Sequence, residues 1–133
     1  MEIQTFFLAK SISKAGSANE YDSSTVGLHH FYPTNNQYPL GCKLPFYMLV
    51  RRELSDKDDS ITLKFNLIDA DGKNTGKPQN LKVAGKFPSG HKFMTVVGTV
   101  DFQFDDGGEY RLDITADEEK LPSIFHYNLF VGQ

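Results

Sequence analysis

The chain has 133 residues, with 17 Asp and Glu against 14 Lys and Arg and a formal net charge of −3. Hydrophobic residues make up 39% and charged residues 23%, which fits one globular domain spanning 1–133 and excludes a disordered chain. The mildly acidic balance excludes the electrostatic footprint of a nucleic-acid binder, and Cys42, the single cysteine, excludes an intramolecular disulfide.

Residues 3–9 are short and mostly apolar, and form the first expected strand. The chain starts Met1-Glu2-Ile3-Gln4, without a cationic residue, and its Phe6-Phe7-Leu8-Ala9 run is too short for a signal peptide or a membrane span. With no disulfide framework, the expectation is a soluble cytoplasmic protein with no membrane partner. Residues 14–20 carry at most one helical turn. A second strand is expected over 24–32, ending before Pro33, and a third over 45–53, where Phe46-Tyr47-Met48-Leu49-Val50 reads as a central strand buried on both faces. Pro45 places its start, because proline lacks the amide donor of a paired strand.

Period-two alternation is clearest further on. Ile61, Leu63, Phe65 and Leu67 face one way, and Thr62, Lys64 and Asn66 the other. That strand, 61–68, ends at the turn signal Asp69-Ala70-Asp71-Gly72-Lys73. Residues 81–87, between Pro78 and Pro88, allow a short extra strand. Alternation returns over 93–104, 109–115 and 123–131, with the charged stretch 117–120 as a hairpin loop rather than a helical turn. Between the first two of these strands lies Asp106-Gly107-Gly108-Glu109-Tyr110-Arg111-Leu112. This pattern resembles the tyrosine corner of immunoglobulin-like sandwiches, in which the Tyr hydroxyl bonds back to the backbone a few residues upstream. Leu112 stands where secreted relatives of that architecture place a disulfide cysteine.

These features predict an all-β fold, an antiparallel immunoglobulin-like β-sandwich of seven or eight strands. In that order the strands are A (3–9), B (24–32), C (45–53), D (61–68), E (93–104), F (109–115) and G (123–131). One end of the sandwich would gather 10–23, 54–60 and the 105–108 turn. The other would gather 33–44, the connection after 68 and the F–G turn. A full strand at 81–87 would move Asp69 and Asp71 to the opposite end.

A narrower resemblance rests on LPFYMLVR at 44–51, on 61–72 ending in Asp69-Ala70-Asp71-Gly72, and on Gly108-Glu109-Tyr110-Arg111. Together they are similar to a family of small bacterial β-sandwich proteins with no assigned activity. The resemblance implies the fold and carries over no functional residue, cofactor or partner.

Candidate sites follow from residue chemistry. Tyr32, Asn35, Asn36 and Tyr38, in the aromatic- and amide-rich stretch 33–44 and at its border, suit an adaptable binding surface for a protein or a glycan. Asp105 and Asp106, with Glu109 and either the 56–59 aspartates or Asp69 and Asp71, are candidates to hold calcium. The competing expectation is that they are turn formers. His29 and His30 are adjacent and point to opposite faces of a strand, so they cannot chelate one ion. His126 would meet one of them if the second and last strands share a sheet. Cys42 beside Lys43 has no adjacent base, so the expectation is an inert thiol. The function this implies is a non-catalytic interaction or structural module without a cofactor, for an unidentified protein partner or a second copy at an edge strand. The alternative is a small-ligand binder for calcium or a glycan.

Overall fold

The computed structural model describes residues 2–15, 20–24, 27–32, 37–52, 60–84, 91–116 and 124–132, and for 60–61, 76–84 and 116 the backbone alone. In chain order the strands are β1 (Glu2–Leu8), β2 (Ser11–Lys14), β3 (Tyr21–Ser24), β4 (His30–Phe31) and β5 (Leu40–Arg51). They continue with β6 (Ser60–Ile68), β7 (Asn74–Ala84), β8 (Phe93–Phe104), β9 (Gly108–Ala116) and β10 (Ile124–Val131). No helix occurs among the described residues, and hence none that is long and apolar enough to cross a membrane.

The strands form an open three-stranded sheet, β1-β5-β8, an open five-stranded sheet, β4-β10-β9-β6-β7, and the separate ribbon β2-β3. All pairings are antiparallel except β4 with β10. Alternation decides which side chains face inward. Phe46, Met48 and Val50 of β5 and Val96, Val100, Phe102 and Phe104 of β8 meet Leu63 and Phe65 of β6 and Tyr110, Leu112 and Ile114 of β9 in one core. Aromatic rings join the two sheets: Phe65 lies 5.4 Å from Phe46 and 6.3 Å from Phe6, and Tyr127 lies edge-on at 5.3 Å from Phe6. The fold is therefore all-β and sandwich-like, with the core between two sheets.

Several expected boundaries are corrected. The strand expected over 24–32 does not run through. Gly27 adopts φ +78, a left-handed conformation that ends an extended run, and its amide turns to the Leu8 carbonyl at 2.8 Å. Ser24 ends β3 of the separate ribbon, and of the described residues from Gly27 to Tyr32 only His30–Phe31 joins a sheet. Lys14 ends β2 rather than opening a helical turn, and Ala15 closes the β2–β3 hairpin on Glu20. The strand expected at 45 begins at Leu40 and passes through Pro45. The Pro45 carbonyl accepts from Ala9, and in an antiparallel strand a residue's N and C=O point to the same side. Just there β1 has ended, opposite Phe46, so the missing donor of Pro45 faces no strand partner. The optional strand at 81–87 is met over 81–84 by the end of β7, which begins at Asn74 and forms a hairpin with β6; 85–87 lie outside the described residues.

Because β7 adds a strand between β6 and β8, the expected sorting of loops fails, as the extra-strand alternative anticipated for Asp69 and Asp71. Tyr38, just before β5, reaches Gly107, so the segment entering β5 and the 105–108 turn share one end. Asp69 lies close enough to act on the Tyr110 hydroxyl together with Asp105 and Asp106, which brings the 69–73 turn to that end as well.

Candidate functional site

That shared end is built around Tyr110. Its hydroxyl donates to the Asp106 carbonyl at 2.6 Å, closing the turn that feeds β9. Burial, with the negative charges of Asp106, Asp105 and Asp69 adding to it, pushes the phenol above its usual pKa and keeps it a donor. The acidic side chains around it serve the turns. Asp106 Oδ1 accepts from the Gly107 amide at 2.9 Å, and Asp105 Oδ1 from Gln103 at 3.3 Å. Asp69 Oδ1 accepts from the amides of Asp71 and Lys73 at 2.9 Å each. Among the described residues no group of three His, Cys, Asp or Glu is placed to hold a metal ion.

Of the residues singled out for ligand or partner binding, Tyr38 is half-buried against the core, and its hydroxyl packs on Gly107 so closely that a Cβ there would stand 2.8 Å away. Asn35, Asn36 and the 56–59 aspartates lie outside the described residues. Tyr32 is 68% exposed. It lies flat on His30, with ring centroids 4.2 Å apart and planes 14° apart, and its hydroxyl reaches His30 Nδ1 at 3.4 Å. His30 Nε2 donates to the Gly132 carbonyl at 2.9 Å, which fixes the ring and leaves Nδ1 as the acceptor. His30 meets Phe130 at 79° and 4.9 Å. Phe130 borders an open cleft of about 420 Å3 on the outer face of the five-stranded sheet, lined also by His29, Glu109, Tyr110, Asn128 and Leu129.

The same outer face carries a charged group that sequence reasoning missed. Alternation points Arg111 and Asp113 outward from β9, and register sets His126 of β10 opposite Asp113. Asp113 accepts from Arg111 Nε at 2.7 Å and Nη2 at 3.0 Å, and from His126 Nδ1 at 2.6 Å. Burial opposes the charge of Asp113, but the hydrogen bonds from Arg111 and His126 outweigh it and hold the carboxyl below the usual aspartate value. His126 thus meets Asp113 and neither His29 nor His30. The signal for this was the register of the β9–β10 hairpin, which hangs on a connection that period-two patterns alone do not measure.

The outer face of the three-stranded sheet is more apolar. Phe7 and Tyr47 stack at 5.0 Å, Tyr21 of the ribbon meets Tyr47 edge-on, and together with Ile12 and Ser23 they line a cleft of about 350 Å3. Beside them Phe93 and Val97 of β8 are 48% and 36% exposed. β8 is the last strand of its sheet and pairs with β5 in unbroken register over all twelve of its residues. Cys42 is half-buried and packs against the core; burial, with Asp101 adding to it, pushes its thiol up to about 11, the reverse of an activated nucleophile.

Neither protein-family models nor curated proteins match this chain.

Proposed function

We propose that this chain is a non-catalytic binding module with immunoglobulin-like strand order, which binds a protein partner by strand addition along β8. In that reading β1, β5 and β8 stand as strands A, B and E, and β6, β7, β9 and β10 as C, C′, F and G. Two features support the order: the sheets β1-β5-β8 and β10-β9-β6-β7 face each other, and the Tyr110 hydroxyl makes the corner bond at the entry to β9. The order differs from the sequence-based lettering in moving each middle strand one place earlier, because the 24–32 strand drops out.

One observation carries the binding proposal: among the described residues, the edge formed by β8 has no bulge and no proline, and carries a single charge, Asp101. Edge strands recruit further strands unless bulges, charges or proline blunt them. β1, at the opposite edge of the sheet, has a register shift between Ile3 and Thr5. β8 has no shift, and Asp101 is its only charged residue in Phe-Met-Thr-Val-Val-Gly-Thr-Val-Asp-Phe-Gln-Phe. An extended partner segment would pair with the β8 backbone and set its alternate side chains against Val97 and Phe93. A photocrosslinking residue in place of Thr99, on β8, should capture the partner, and the same residue in place of Lys64, on the outer face of the other sheet, should not. Val97→Lys should abolish the capture, and light scattering at two concentrations tells whether the partner is a second copy. Equal capture from both positions would end this reading.

A further inference from the structure

We infer that the partner of β8 is a second copy of this chain, joined in antiparallel register about a twofold axis at Gly98. This rests on the strand-addition reading above and adds which partner binds and in which register. Two backbone contacts fix where the groups along β8 point. Pro45, opposite Thr99, turns its carbonyl to Ala9 just past the end of β1, away from β8. Lys92 turns its carbonyl to the Arg52 amide just past the end of β5, at 2.8 Å. Backbone groups alternate sides along an antiparallel strand, so both contacts give the same answer. Met94, Val96 and every second residue on to Phe104 face β5. Phe93, Thr95, Val97, Thr99, Asp101 and Gln103 turn their N–H and C=O groups to the open edge.

Alternation puts the side chains of the open-edge residues on the outer face, while Met94, Val96, Val100, Phe102 and Phe104 are buried. A second β8 must set outer residues against outer ones, because a slip of one residue would turn its buried side chains to solvent. The twofold axis therefore falls on a residue, and two positions pair nearly the whole strand. Centred on Gly98, residues 93–103 pair and every open-edge residue finds a backbone partner. Centred on Thr99, residues 94–104 pair and Phe93 is left over.

Asp101, the only charge on the strand, decides between them. The Thr99 centre sets its carboxylate opposite the aliphatic Val97. A centre on Asp101 itself sets two carboxylates face to face, which is destabilising. The Gly98 centre sets Asp101 opposite Thr95 of the second copy, whose hydroxyl donates to a carboxylate. It also sets Val97 opposite Thr99, with the two Val97 side chains as diagonal neighbours across the axis. That covers a residue left 36% exposed in the single chain. Opposed residues that exchange no hydrogen bonds approach to about 4.5 Å between Cα atoms. At the axis these are the two Gly98, which have no side chains to crowd. A strand suited to an unrelated partner needs no symmetry about its own midpoint. β8 is complementary to itself about Gly98 in charge placement, apolar contact and backbone direction.

The test is sedimentation of the purified whole chain over a range of concentrations, beside Thr95→Lys and Thr95→Asp. We expect a dimer. Each substitution acts twice per dimer, opposite Asp101 of either copy. Thr95→Lys should tighten association and Thr95→Asp should weaken it, each at least about threefold in Kd. In an Asp101→Asn background the two should associate alike, because Thr95 and Asp101 meet only across the axis. The photocrosslinking residue at Thr99 should couple to Val97 of a second copy. Far-UV circular dichroism of each variant as a dilute monomer should match the parent, so lost association is not lost folding. A chain that stays monomeric at millimolar concentration, or a dimer indifferent to Thr95 and Asp101, would overturn the inference. If the chain is monomeric and Thr99, but not Lys64, captures a different protein, the strand-addition reading stands without it. Equal capture from both positions ends both.

Discussion

Tyr110 shows how much one side chain organises at the shared end of the sandwich. Its ring packs edge-on against Phe104 at 5.0 Å, and its hydroxyl closes the 105–108 turn on the Asp106 carbonyl. Tyr110→Phe keeps the ring and leaves that carbonyl without its donor. The expected cost is about 1 kcal/mol or more, read from urea unfolding midpoints. An unchanged midpoint would mean that water replaces the hydroxyl at no cost and that the turn holds itself. Cys42 is the opposite case, a reactive group made quiet by its surroundings. With its thiol pushed up to about 11, alkylation at pH 7 should be far slower than for a free cysteine. The rate should climb as pH rises toward that value, and unfolding in urea should restore ordinary reactivity. Fast labelling of the folded chain at neutral pH would contradict the burial of this residue.

At the scale of elements, the pair β9–β10 sets Asp113 between Arg111 and His126, and the sign of its pH dependence follows. Its folded pKa lies below the unfolded value, so the contribution of the charged carboxylate is present above about pH 3.9 and is lost as pH falls through the folded pKa. The urea-midpoint gap between the parent and Asp113→Asn should therefore be wider at pH 6 than at about pH 2. A gap of constant width would show that Asp113 contributes by shape rather than charge. The partners are exposed, so the effect at neutral pH should be modest. Alternation made β6, β8, β9 and β10 legible from sequence, because each buries one face and exposes the other. It failed where local conformation overrides the pattern: at Gly27, whose positive φ broke a run that looked continuous, and at Pro45, whose missing donor happens to face the side where β1 has ended. The Tyr110 corner could be read from its motif. The Asp113 group and the Phe130 cleft could not, because the first needs the β9–β10 register and the second also the parallel docking of β4, each set by a connection or a crossover rather than by residue type.

Across the whole molecule, the two sheets share a single core, and Phe65 is where that dependence is most concentrated. It comes from β6 of the five-stranded sheet, is 3% exposed, and its ring meets Phe46 and Phe6 of the three-stranded sheet. Phe65→Ala removes the bridge and leaves a cavity between layers that neither can fill alone, at an expected cost of about 3–5 kcal/mol. That is a large share of the roughly 5–15 kcal/mol that holds a domain together, so the melting temperature should fall sharply. The chain has no Trp, which makes tyrosine signals clean reporters of their own sheets. Tyr47 lies on the three-stranded sheet and Tyr110 and Tyr127 on the five-stranded one. Their NMR signals should vanish together with far-UV circular dichroism in one cooperative transition, in the parent and in Phe65→Ala alike. If Tyr47 instead melts ahead of Tyr127 in the variant, the sheets are separable units and Phe65 couples them. That outcome would also loosen β8, because its sheet would then keep the β8 edge without the support of the layer behind it.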